Sequence, residues 1–475
     1  MFLKYRNILA MVIMMFAFSI AVEQTRSASI WNDGRFEAPL RDLDGIRKEG
    51  KLRVVVDYNF TNYFVYRGKP MGFKYEMLRE LARELDLKLE FVVSNDLEET
   101  FRGLETGRFD LAAKNLTVTQ ERNKRVDFTQ HISQTRQVLV QRRQADKSAS
   151  RELQVNSQLE LAGKTITVQK HTSFVTRLQD IEEEIGSNIV IVEDSVAGVE
   201  QLISMVASGE IDYTVCDENV ANLYAKNYNN LDVAVPVSFR QNIAWAVRKD
   251  AIRLKEYLDN WLNEFQNTDQ YKQLQAKYYS AERSALRSRN SYHSLTKGRI
   301  SPFDDIIKRE AASKNWDWRL IASIIYQESQ FDTAAISWAG ASGLMQLMPE
   351  TALAFGVGDA TNPVQNIRGG IKLLSWLDSQ LKSEIPEPEE RLKFVLAAYN
   401  VGLGHIKDAQ RLARKYGKDP FRWSNNVDFF LLNKSLAKYY SDPVVKWGYA
   451  RGREPYEFVV SVLNNYGHYK NVIPE

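Results

Sequence analysis

Between Leu52 and about Tyr279, short apolar β-rich runs alternate with stretches whose apolar residues recur at helical spacing. "LRVVVDY" (Leu52 to Tyr58) predicts a strand. In "KYEMLRELARELDL", Met77, Leu78, Leu81, Ala82 and Leu85 fall on one helical face. "KLEFVVS" predicts a second strand, "LEETFRGLETG" a helix stopped by glycine, and "FDLAAKNL" a third strand. This β-α-β-α-β order predicts a parallel sheet covered by helices on both faces. The order then repeats. "KTITVQK" (Lys164 to Lys170), "IVIVED" and "IDYTVCD" read as strands, separated by the helices "SFVTRLQDIEEEI" and "SVAGVEQLISMVASG". Two α/β lobes in tandem predict a cleft between them. "RQVLVQRR" and "NIAWAVRK", near the end of each lobe's run, are the expected crossings between lobes.

The stretch Ser280 to Gly298 is polar, rich in serine and arginine, and has no apolar stripe, so it reads as a linker. Beyond it the pattern is helical throughout. Asn362-Pro363 and Pro388 sit where helices should open. In "DWRLIASIIYQES", Ile321, Ile324 and Ile325 form an apolar stripe that Glu328 continues. A carboxyl held against an apolar wall keeps its proton to higher pH, and such a group can protonate a leaving group. Spacing alone equally allows the helix to turn Glu328 towards water.

Composition narrows the picture only at a few points. The 475 residues allow two or three domains, and a net charge of +3 over that length carries no nucleic-acid signal. The single cysteine, Cys216, excludes an intrachain disulfide. No two of the five histidines stand at ligand spacing, which disfavours a metal centre, and no cofactor is expected. At the N-terminus Lys4 and Arg6 precede an uncharged apolar stretch from Asn7 to Val22, with small residues at Ser19 and Ala21. That is the pattern of a secretory signal, with an uncleaved anchor as the alternative.

Three motifs in the helical half stand in order: the Glu328-Ser329 pair, "SWAGASGLMQLMPETA" (Ser337 to Ala352) and "LAAYNVGLGHI" (Leu396 to Ile406). Their glycines do not make a phosphate loop, since no lysine comes at that spacing and no strand precedes. Together the motifs resemble the soluble lytic transglycosylase domain, an all-α, goose-type-lysozyme-like fold. The resemblance covers roughly Ile300 to Glu475. The first half resembles the two-lobed α/β periplasmic solute-binding domain of family 3. The tandem resembles a family of membrane-bound murein transglycosylases.

That resemblance implies cleavage of the β-1,4 bond between N-acetylmuramic acid and N-acetylglucosamine in peptidoglycan, leaving 1,6-anhydromuramic acid ends. Glu328 matches the catalytic glutamate. Ser329, Ser337, Met345, Gln346, Tyr399 and Asn400 match substrate-binding positions: Ser329 and Gln346 for sugar hydroxyls or the acetamido group, Met345 as an apolar wall, Tyr399 for a hydrogen bond to Glu328 or the sugar. Met345 and Tyr399 read alternatively as core, and Asn400 as the cap of a helix ending there. Asp332, a turn former, and Glu350, at a helix start, are the weighed and disfavoured second carboxylates. In "REPYEFVVSVLNNY" the chain has Phe458 where many relatives carry tyrosine.

In the first half, "NLTVTQER" and "DYTVCD" match the motifs that grip an amino acid. They place Arg122 on the ligand carboxylate and Asp217 on its ammonium, with Asn115, Thr117 and Thr172 supplying further hydrogen bonds. Pairing of Arg122 with Asp127 is the alternative. The expected ligand is an amino acid or a peptidoglycan stem peptide. The expected layout is a signal (1–21), an extension (22–47), the binding-protein-like domain (48–279), a linker (280–299) and the transglycosylase domain (300–475). The expected place is the periplasm, peripherally attached to the outer membrane. A non-catalytic envelope receptor for amino acids or muropeptides remains the alternative, distinguished by Glu328.

Overall fold

The computed structural model describes residues 41–59, 61–143, 154–195, 197–226, 228–279 and 299–473. The expected signal, the expected extension up to residue 40 and the expected linker up to residue 298 lie outside the described residues. The last residues of the expected extension belong to the first lobe. Leu43 and Ile46, in the helix Leu43–Glu49, are buried in that lobe's core. Asp42 caps the helix and also accepts from the amides of Arg253 (2.9 Å) and Leu254 (2.7 Å).

Two mixed sheets form the first half. One runs in the order Lys88–Val93, Lys51–Val56, Leu111–Thr117, Gln241–Arg248, Val126–Phe128. Its first three strands are parallel, with Val54 opposite both Phe91 and Leu111. The other runs Val190–Asp194, Thr165–Gln169, Tyr213–Asp217, Gln137–Arg142, Leu231–Asp232. The two segments expected as crossings are strands within the sheets. Gln137–Arg142 lies antiparallel to Tyr213–Asp217 in the second, and Gln241–Arg248 antiparallel to Leu111–Thr117 in the first. A strand arriving from the other lobe needs no crossover helix, so it can pair antiparallel. The helix Phe73–Glu84 buries Met77, Leu78, Leu81 and Ala82 on the face that the spacing predicts.

The second half is helical, as its period predicts. Asn362 caps Pro363–Leu381 through the amides of Val364 and Gln365, with Pro363 in the first turn; Pro388 likewise opens Pro388–Val401. Two helices frame the site. Trp318–Ser329 packs along Arg453–Val472, and Ser323, fully buried, donates to Val462 O at 2.7 Å across that contact. At the other end Tyr466 donates to Asp317, which caps the first of the pair.

The halves meet at a hairpin tip. Tyr469 Oη donates to Gly68 O at 2.6 Å, and Asn471 donates to Phe91 O at 3.2 Å. A Cβ on Gly68 would lie 2.7 Å from the rings of both Tyr326 and Phe331. The first half therefore touches the segment that carries Glu328.

Candidate active site and ligand cleft

Glu328 stands in the last turn of Trp318–Ser329, whose Ile321, Ile324 and Ile325 are fully buried. Its own side chain is partly buried. Burial, and to a lesser extent the negative charge of Glu454, push its carboxyl up from the ordinary 4.5 to about 8. Among the described residues no cation or hydrogen-bond donor offsets that. The helix is ended by two consecutive left-handed residues, Gln330 (φ 51°) and Phe331 (φ 67°), and Gln346 (φ 46°) is a third nearby. Such non-glycine conformations cost roughly 1–3 kcal/mol each and persist only where packing enforces them.

The packing that enforces them is visible. Ser329 Oγ lies 2.8 Å from Leu344 O, tying the helix end to the motif loop. Asn366, fully buried, accepts from Met345 N (2.7 Å) and donates to Ser342 O (3.1 Å) and Ala360 O (2.9 Å). Tyr399 Oη donates to Met345 O at 2.6 Å. Gly343 has φ +77°, and a Cβ there would sit 2.1 Å from Ala360 O and 2.4 Å from Asn366 Nδ2. Gly343→Ala is therefore expected to destabilise the helical half by at least about 1–3 kcal/mol, read as a lower melting temperature.

Several matched residues do something other than expected. Met345 is completely enclosed, with its sulfur against Gly370, so it cannot wall a sugar; the pocket closes over it because Gly370 leaves the room. Ser329 is buried, and its hydroxyl hydrogen goes to backbone carbonyls rather than to a ligand. The amide nitrogen of Gln346 is taken by Ala335 O and Gly343 O. Ser337 closes its own turn, accepting from Ala341 N at 3.0 Å. Tyr399 gives its proton to Met345 rather than to Glu328, although it lies close enough for the charge of Glu328 to raise its pKa beyond what burial does. Asn400 is not the helix cap: the helix runs to Val401, and Gly402 (φ 91°) turns the chain into the next helix, Leu403–Lys415. Phe458 stacks on Tyr399, with ring centroids 6.3 Å apart at 11°. Asp332 accepts from Ala334 N within its own turn, and Glu350 lies in the first turn of Pro349–Ala354.

The carboxylate that does reach Glu328 is the exposed Glu454, in the first turn of Arg453–Val472. Sequence reasoning singles out neither Glu454 nor Asn366. Glu454 lies within "REPYEFVVSVLNNY", and its polar position before an apolar run is the available signal. Asn366 comes four residues after the Asn362 cap with no local mark of its role.

Between the two lobes lies a cavity of about 550 Å³ lined by Asn115, Thr172 and Asp217, together with Asp57, Lys114 and Glu200. Thr172 also caps its own turn by donating to Gln169 O. Thr117 lies opposite Ser173, and its carbonyl accepts from Arg122 Nη1 at 3.1 Å. The Arg122 guanidinium sits 5.6 Å over the Phe101 ring, and no ion pair to Asp127 forms. Burial lowers the pKa of Arg122 and lifts that of Asp217 to about 7, against the pull of Arg122 on the latter. Among the described residues one buried Asp217 carboxyl oxygen has no hydrogen-bond partner.

Comparison with known proteins agrees with both halves. Residues 52–281 match the model for bacterial extracellular solute-binding proteins of family 3, and residues 305–421 match the transglycosylase SLT domain. The chain is thus a binding-protein-like α/β domain joined to a helical SLT domain. A membrane-bound lytic murein transglycosylase F from Desulfosudis oleivorans is 32% identical over 91% of this chain and 92% of its own. Those from Pseudomonas fluorescens (31%; 89% and 85%) and Stutzerimonas stutzeri (32%; 90% and 86%) are similarly related. The chain belongs to the membrane-bound lytic murein transglycosylase F family. Among solved structures, holo ArgBP from T. maritima overlays on 50% of this chain and 99% of its own, at TM-score 0.42 and 25% identity.

Proposed function

We infer that this chain is a lytic transglycosylase of peptidoglycan, with Glu328 as its acid and base. The observation that carries the reading is a carboxyl at the end of a buried apolar stripe, with no cation among the described residues to hold it ionised. Glu328 gives its proton to the glycosidic oxygen as the bond to C1 of the muramyl sugar breaks. The substrate's acetamido oxygen takes up C1. The glutamate, now ionised, removes the proton from the muramyl 6-hydroxyl, whose oxygen closes onto C1 and displaces the acetamido oxygen. The glutamate ends protonated, and no water is consumed. Asn400, partly exposed and with no side-chain hydrogen bond to a described residue, and the carbonyl end of Gln346 are polar groups left to meet the sugar. Digestion of purified sacculi read by mass spectrometry tests this: anhydro ends support it, and reducing ends in their place would refute it.

The working division is a binding domain that takes in the helix Leu43–Glu49 and runs to residue 279, and a catalytic domain at 300–475. The binding domain takes an amino acid or a stem peptide, Arg122 facing its carboxylate and Asp217 its ammonium. The hairpin contact at Gly68, beside Tyr326 and Phe331, is a route by which occupancy biases catalysis. Arg122→Ala is expected to weaken binding about 10–100-fold in calorimetry, the effect of removing a charged hydrogen-bonding partner. Because burial holds Asp217 near 7, affinity for the ammonium is expected to rise as pH climbs through that value. The membrane-bound lytic transglycosylase relatives support a place at the cell envelope. Peripheral attachment to the outer membrane is supported by the resemblance to membrane-bound transglycosylases; among the described residues no helix is long and apolar enough to cross a membrane.

A further inference from the structure

Two indoles stand out in solvent on the helical half. Trp338 is 87% exposed and Trp447 64%. Indole is the largest apolar side chain, and exposing two of them asks for a partner. Both connect to the Glu328 face. Trp338 sits at the tip of the motif turn from Ser337 to Gly340, with the Arg451 guanidinium 5.6 Å over its ring. Arg451 O accepts from the amide of Glu454, the residue whose charge reaches Glu328. Trp447 belongs to the same loop as Arg451.

How Trp447 is held matters more than its exposure. Its ring lies flat on Gly404, where a Cβ would come 2.3 Å from the indole. Only glycine allows that approach, and with Gly404 beneath it the residue is still 64% exposed. The backbone amides of Lys446 and Trp447 both donate to Asp408 at 2.8 Å. Asp408 and Lys434 are fully buried and 2.6 Å apart. The same Lys434 ammonium lies 2.7 Å from His405 Nδ1. An ammonium can only donate, so Nδ1 must accept and the imidazole proton must sit on Nε2. The His405 ring lies 6.4 Å from that of Trp447 and is partly exposed. A buried cluster thus fixes both a flat apolar plate and a polar N–H beside it.

We propose that Trp338 and Trp447 form a shelf on which the sugar rings of the glycan strand stack beyond the bond at Glu328, with His405 Nε2–H donating to a sugar oxygen beside Trp447. A pyranose presents one face of C–H groups and an equatorial rim of oxygens. An exposed indole with an imidazole donor 6.4 Å away matches that pairing. The proposal rests on the transglycosylase reading for its ligand, and it makes His405 a substrate-binding residue that takes no part in the proton transfers.

The test uses the full chain in two settings. In the Glu328→Gln background, sedimentation with purified sacculi measures binding without turnover. Trp338→Ala plus Trp447→Ala is expected to weaken it about tenfold or more, the scale of two aromatic stacking contacts. In the active background the same pair is expected to raise KM for long strands with kcat unchanged, and to leave a substrate spanning only the cleaved bond unaffected. His405→Ala should raise KM severalfold, and His405→Gln, which keeps an N–H at similar reach, should restore most of it. Unchanged sacculus binding and KM in a double variant of normal melting temperature would overturn the proposal. So would loss of binding to phosphatidylglycerol vesicles with sacculus binding intact, which would make the indoles a membrane contact. If the active chain released no anhydro ends, the enzymatic reading would fail while sedimentation still judged the shelf.

Discussion

Glu328→Gln is expected to lower the release of anhydro-muropeptides by about 10³–10⁴-fold while leaving binding to sacculi intact, because one group serves both proton transfers. The wild-type pH profile should share its cause. Burial holds the carboxyl protonated up to about 8, so activity persists through neutral pH and falls as pH rises past that value. The same substitution should stabilise the fold. Below 4.5 the carboxyl is neutral in both the folded and unfolded chain, and Gln brings nothing. Between 4.5 and 8 the folded protein keeps a proton that the unfolded chain has lost, so wild-type stability declines as pH rises through that window. With the side chain only partly buried, the gain from Gln at pH 7.5 should be about 1–3 kcal/mol. Melting curves at pH 4.5 and pH 7.5 check the sign. A variant as active as wild type, or one destabilised at neutral pH alone, contradicts the account of Glu328 as a sheltered acid.

Much of this is legible in the sequence because the physics is local. The change from period 2 to period 3.6 along the chain marks where lobes and helices lie. The two-fold recurrence of β-α-β-α-β marks two lobes, and the caps at Asn362 and Pro388 fall where the residue types place them. Glu328 continues the stripe of Ile321, Ile324 and Ile325, and that much also needs only spacing. What fails is non-local. Met345 looks like a wall from its motif, but only Gly370, on a separate helix, shows that it is enclosed. Ser329 and Tyr399 carry polar groups that any substrate could use, yet the carbonyls of Leu344 and Met345 occupy them. Glu454 reaches Glu328 through the packing of two helices far apart in the chain, which Ser323 and Val462 help to join. The antiparallel strands Gln137–Arg142 and Gln241–Arg248 depend on which lobe the chain enters, and a run of apolar residues cannot state that. Part of the motif set therefore builds the loop that holds the acid in place, and only part of it faces the sugar.

The largest stability effect is expected at Asp408. It is fully buried and receives Lys434 at 2.6 Å, the Arg411 guanidinium, and the amides of Lys446 and Trp447 at 2.8 Å each. Burial by itself would raise its pKa; the hydrogen bonds from Lys434 and the two amides outweigh that and hold it below the ordinary 3.8. Its contribution is therefore present above about 3.8 and lost as pH falls through the lower folded value. Asp408→Ala leaves a buried ammonium whose remaining hydrogen-bond partner among the described residues is the His405 nitrogen, and leaves two loop amides unsatisfied. A broken buried pair of this kind costs about 3–5 kcal/mol, whereas removing both charges together costs far less. Asp408→Leu with Lys434→Met should accordingly recover most of the denaturant midpoint that Asp408→Ala loses. Glycan binding should not return with it, because the apolar pair cannot hold the amides of Lys446 and Trp447 or the tautomer of His405. Midpoint and sacculus affinity recovering together would mean that the cluster only supports the fold. Recovery of the first without the second is the signature of a cluster that also aims Trp447.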